Sequence, residues 1–67
     1  MNLTYTERCR EARRTDEGDV WRHRITGDKL TVIGRSGTHG VAVQDESGDE
    51  VIKIDYYLAR EYEPATY

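Results

Sequence analysis

The 67-residue sequence has a single cysteine, a single proline and no phenylalanine, and each scarcity narrows what the chain can be. With only Cys9, no intrachain disulfide can staple the fold and no zinc site can be built from cysteine pairs. No apolar run approaches the roughly 20 residues that span a bilayer, and no apolar stretch of about 7–15 residues follows the N-terminus. Neither a membrane helix nor a signal peptide is expected, and the expected location is cytoplasmic. A chain this short buries only about 60% of the surface its unfolded form exposes, so a deep catalytic cleft is not expected either.

What is present is charge and short-period apolar patterning. Residues 1–35 carry eight basic and six acidic side chains, residues 36–67 two and seven, so the net charge of −3 hides a dipole. Eight of the ten basic residues are arginine, which suits bidentate pairing with carboxylate or phosphate.

Thr4, followed three residues later by Glu7, has the form of a capping box ahead of Tyr5, Cys9 and Ala12 on one helical face, so residues 3–14 are expected to be a short helix. Alternation of Leu3 and Tyr5 with polar neighbours leaves a strand as the rival. From Val20 the period becomes two. Val20–Ile25, Lys29–Ile33, Val41–Gln44 and Glu50–Ile54 read as four strands separated by glycine-bearing turns. A single helical turn over Asp55–Leu58 and a short fifth strand ended by Pro64 follow.

Five strands of this length gain stability by curling over one core, for which Trp21, Ile25, Leu30, Val32, Val41, Val43, Ile52, Ile54, Leu58 and Tyr62 are the candidates. The expected fold is mainly β: a five-stranded SH3-like small barrel with a short N-terminal helix or extension. Residues 1–17 form that extension and linker, 18–64 the barrel and 65–67 a tail.

The stretch from Gly27 to Val43 resembles a KOW-type segment in its Gly27-Asp28 pair, its alternating Leu30 and Val32, and its Gly37, Gly40 and Val41. That likeness covers about a quarter of the chain. It implies an SH3-like fold with a loop that approaches RNA or a protein. "GDVWRH", "TG" and a closing "EYEP" are in turn similar to small accessory proteins of phages and prophages.

Two binding readings follow. Tyr56, Tyr57 and Tyr62, with Tyr67, gather near the C-terminus, and tyrosine suits protein interfaces because it joins apolar area to a hydroxyl. The expected function is therefore a non-enzymatic protein-binding module, with a protein partner or self-association through a strand edge, the short last strand being the place chosen. In the alternative, Arg22, Arg24, Arg35 and His39 contact RNA or DNA phosphates. The acidic stretch Asp45, Glu46, Asp49 and Glu50 reads as a solvated hairpin tip. Cys9, His23 and His39 stand about fifteen residues apart without metal-ligand spacing, and no cofactor is expected.

Overall fold

The computed structural model describes residues 3–65; Tyr67 and the end of the 65–67 tail lie outside the described residues. In chain order the elements are α1 (Tyr5–Arg14), β1 (Val20–His23), β2 (Lys29–Ser36), β3 (Gly40–Asp45), β4 (Glu50–Ile54), α2 (Asp55–Glu61) and β5 (Tyr62–Pro64). All five strands are antiparallel in a single sheet of order β4-β3-β2-β1-β5. The sheet is not closed. Strands β4 and β5 form its two edges, and α1 and α2 cover the face that carries the core.

The N-terminal helix forms where the capping box requires it. Thr4 N–H donates to Glu7 Oε1 at 2.8 Å and Glu7 N–H donates to Thr4 Oγ1 at 3.2 Å, so two orphan donors of the first turn are satisfied reciprocally. The Thr4 backbone bond, and then its side chain, hold the Glu7 carboxyl below the usual carboxylate range. A depressed folded pKa means that this contribution is present above the unfolded glutamate pKa and is lost as pH falls through the folded value. Thr4→Ala is expected to cost about 1 kcal/mol. In urea melts followed by circular dichroism, its deficit relative to wild type should shrink once the pH lies below the folded Glu7 pKa.

One face of the sheet and the helices share the core: Trp21, Leu30, Val32, Val41 and Val43 from the strands meet Ala12 of α1 and Leu58 and Ala59 of α2. Tyr62 and Cys9 pack against it, half-buried. The two alanines let α1 and α2 approach each other closely, and Arg8 closes the seam: its Nε donates to the Ala59 carbonyl and its Nη1 to the Leu3 carbonyl, both at 2.7 Å.

Three residues expected in the core are not there. Ile25 is 89% exposed, because β1 ends at His23 and the chain turns. The turn is held by Ile25 and Thr26 N–H groups donating to His23 Nδ1 and by Gly27 N–H donating to the His23 carbonyl. Ile52 and Ile54 are exposed because the register sets them opposite Ala42 and Gly40, on the outer face, while Val51 and Lys53 stand opposite the buried Val43 and Val41. The volume assigned to these isoleucines is filled by α2, which runs to Glu61 as an α-helix instead of stopping after one turn.

The glycine-bearing segment between β2 and β3 is a hairpin with two structural requirements. Gly37 sits at φ +68°, and a Cβ on Gly40 would collide with the Ser36 carbonyl oxygen. Upstream, the register jumps between Val32 and Gly34, leaving Ile33 as a bulge. The extra residue reverses the alternation, so Arg35, opposite Val41, lies on the helix-bearing face. There its Nη1 donates to the carbonyls of Ala12 at 2.7 Å and Thr15 at 3.1 Å, capping the C-terminal end of α1.

Candidate functional site

The feature of the surface that calls for a partner is strand β4. Its sequence, Glu50-Val51-Ile52-Lys53-Ile54, places aliphatic side chains on both faces, and Val51, Ile52 and Ile54 are all exposed, Ile52 by 59%. On the outer face Ile52 adjoins Ala42 of β3 and Ile33 of the bulge, and the glycine at position 34 keeps the neighbouring surface low. The result is a shallow apolar depression of about 430 Å³ bordered by Ile33, Ala42, Glu50, Val51 and Ile52.

The backbone of β4 is half-paired, and the ladder parity shows which half. Asp45 N–H donates to the Asp49 carbonyl and Asp55 N–H donates to the His39 carbonyl, which fixes the hydrogen-bonded pairs at both ends of the β3–β4 ladder. Antiparallel strands alternate hydrogen-bonded and non-hydrogen-bonded pairs, so Val51 with Val43 and Lys53 with Val41 are the bonded pairs between them. Glu50, Ile52 and Ile54 therefore turn their N–H groups away from β3. Among the described residues no strand pairs with them. Glu50 and Ile52 also present their carbonyls there, whereas Ile54, the residue preceding α2, has its carbonyl placed to accept the first helical bond.

The tyrosines expected to bind protein divide into two groups. Tyr57 and Tyr62 share Lys53, whose ammonium lies 5.8 Å from one ring centroid and 5.7 Å from the other. Tyr62 also meets the His23 ring edge-on at 4.9 Å. With Asp28, Leu30, Asp45, Glu46 and Val51, Lys53 and Tyr62 line an open cleft of about 340 Å³ on the helix-bearing side of the β4 edge. Burial pushes the Tyr62 phenol up, and the carboxylates of Glu61, Asp28 and Asp45 push it further the same way. Tyr56, 54% exposed, is not one of the rings that share Lys53 and lies instead within electrostatic reach of Tyr5 of α1. A hydrogen bond with the Cys9 thiol is the main cause that holds the Tyr5 phenol above its ordinary value.

The four residues of the nucleic-acid alternative do not converge on one surface. Arg22 lies on the outer face and pairs with Glu63 at 2.8 Å. Arg24 sits beyond the end of β1, with its Nη1 donating to the Arg60 carbonyl at 3.2 Å. Arg35 caps α1 from the opposite face of the sheet. His39, in the β2–β3 turn, places Nδ1 3.0 Å from Oδ2 of the buried Asp55, at the start of α2. Tyrosine clustering pointed from sequence toward the short last strand, β5, and not toward β4. The open β4 edge itself gave only one signal, the run of three branched aliphatics in five residues.

Fold and surface thus define a small, mainly β domain whose open β4 edge carries exposed aliphatic side chains on both faces. No family model, no curated protein and no solved structure matches this chain. Among the described residues no helix is long and apolar enough to cross a membrane.

Proposed function

We propose that this domain is a non-enzymatic protein-binding module that docks its partner along the β4 edge, with Tyr57 as a flanking contact. The observation that carries the reading is the conjunction at β4 of outward-facing backbone donors and acceptors with exposed Val51, Ile52 and Ile54. An added strand gains main-chain hydrogen bonds from such an edge and specificity from the alternating side chains on its two faces. The strand order, with a short helix between β4 and β5, supports taking the sheet as an SH3-like barrel in open form. In that layout the cleft beside Lys53 and Tyr62 is the mouth between its two edges. The last strand, expected from sequence to be the docking edge, offers less: β5 has three residues, each matched to one of β1, and Pro64 has no N–H to donate.

Affinity capture from the native source, with the wild-type chain and an Ile52→Lys chain as parallel baits, tests this reading. A polypeptide recovered by the first bait and lost from the second is the expected result. A partner kept by Ile52→Lys but lost from Tyr57→Ala would move the interface to the tyrosines, and recovery of no polypeptide by any bait would overturn the reading.

A further inference from the structure

We infer that the chain that fits the β4 edge is β4 of a second copy, paired antiparallel about a two-fold axis through Val51. The inference rests on the reading of β4 as a docking edge and adds the occupant and the register.

Three features of the strand select them. In a two-fold antiparallel pair, residues opposite one another share a face of the combined sheet, so the axis must pass through a residue and not between two. With the axis on Val51, Ile52 of each copy stands opposite Glu50 of the other. Their outward N–H and C=O groups then exchange four hydrogen bonds, which uses every outward-facing backbone group of both residues. Val51 meets its own copy as a non-hydrogen-bonded pair, where Cα atoms come to about 4.5 Å.

The same register sets Lys53 of each copy opposite Asp49 of the other on the helix-bearing face. Both are open to such a pairing. Among the described residues neither side chain makes a salt bridge within the chain, Lys53 facing only tyrosine rings and Asp49 using only its backbone groups in the hairpin. Opposite charges directly across a strand pair stabilise it, so the acidic tip of one copy is matched to the single cation of β4 in the other, twice.

The neighbouring registers are worse on both counts. An axis through Lys53 sets the two ammonium groups directly opposite. An axis through Ile52 aims each Glu50 N–H at an Ile54 carbonyl already committed to α2, and leaves Lys53 facing Val51. The Val51 register produces a continuous ten-stranded sheet, and it extends the Ile33–Ala42–Ile52 depression across the axis. A shared edge this short falls below the size of a standard stable interface, so association should be weak and salt-sensitive.

The test is sedimentation equilibrium of the full chain over a dilution series at low salt, with charge-swapped variants. Wild type should pass from monomer to dimer within the series. Lys53→Glu and Asp49→Lys should each weaken the dimer by at least about tenfold, because like charges then face each other at two places, and the double swap should restore it. In a Cys9→Ser background, Val51→Cys should lock a disulfide dimer on mild oxidation, whereas Lys53→Cys should not. Circular dichroism of each variant checks that the fold is kept. Monomer at every concentration overturns the inference, as does a dimer that the double swap fails to restore or that Lys53→Cys locks and Val51→Cys does not. In either case the docking-edge reading is judged separately, by whether the capture experiment yields a different polypeptide that Ile52→Lys releases.

Discussion

Trp21→Ala is expected to leave the chain largely unfolded at room temperature. Truncating a buried aromatic costs about 3–5 kcal/mol, and a domain of this size has roughly 3–10 kcal/mol of stability in total. Trp21 is the largest fully buried side chain, paired across the strands with Leu30 on one side and Pro64 on the other, so a cavity there lies between three strands. The residue also has a polar role. Its Nε1 donates to Thr15 Oγ1 at 3.0 Å, and that hydroxyl in turn donates to Asp19 Oδ2 at 2.8 Å, which fixes the link between α1 and β1. Trp21→Phe should therefore fold, but with a loss of about 1–2 kcal/mol, since it keeps much of the apolar volume and forfeits the hydrogen bond. Urea denaturation followed by far-ultraviolet circular dichroism measures both. A folded Trp21→Ala chain with a wild-type midpoint would show that the core is not organised around this side chain.

Arg8→Ala should be the next most damaging change, at about 3 kcal/mol. Arg8 is only 6% exposed, yet among the described residues no carboxylate forms a salt bridge with it. Its positive charge is instead shared between the Leu3 and Ala59 carbonyls, the second belonging to the C-terminal turn of α2, where the helix dipole favours a cation. Hydrogen bonds to charged groups contribute about 1.5–3 kcal/mol each, and removing the guanidinium strands both acceptors at the helix–helix seam. The melting temperature should fall by roughly 10–20 °C. Arg8→Lys should recover only part of this, because one ammonium cannot reproduce two donors held in a plane. A loss below about 1 kcal/mol for Arg8→Ala would mean that the seam is held by Ala12, Leu58 and Ala59 alone.

Arg8 also illustrates what could and could not be read from the residues in order. The capping box at Thr4 and Glu7 is local, and α1 begins where it predicts. Val41 and Val43 alternate cleanly with less buried neighbours, and they point inward as expected. At β4 the same logic fails for a physical reason: Val51, Ile52 and Ile54 occupy both parities, so alternation alone cannot choose the buried face, and the register with β3 decides against the isoleucines. The bulge at Ile33 has no local signature, yet it turns Arg35 to the face opposite Arg22 and so separates two arginines that sequence reasoning had grouped. The helix seam was missed because its contacts are alanines and an arginine, residue types that ordinarily signal surface.

That seam has a consequence for the order in which the molecule can assemble. Arg8 and Ala59 are 51 positions apart, and Trp21 pairs with Pro64, so the first helix and first strand are completed only by a segment synthesised after β2, β3 and β4. The β2–β3–β4 meander needs only short loop closures and can form as soon as it is made. At synthesis rates of about 5–20 residues per second, α1 then spends roughly 3–10 s without the Ala59 carbonyl that accepts from Arg8 in the folded chain. The meander is complete only at Ile54, and Leu58 and Ala59 of α2, which help cover its inner valines, follow about 0.2–1 s later at the same rates. Rapid arrival of α2, more than the intrinsic stability of any strand, limits how long the nascent chain offers that surface to other proteins.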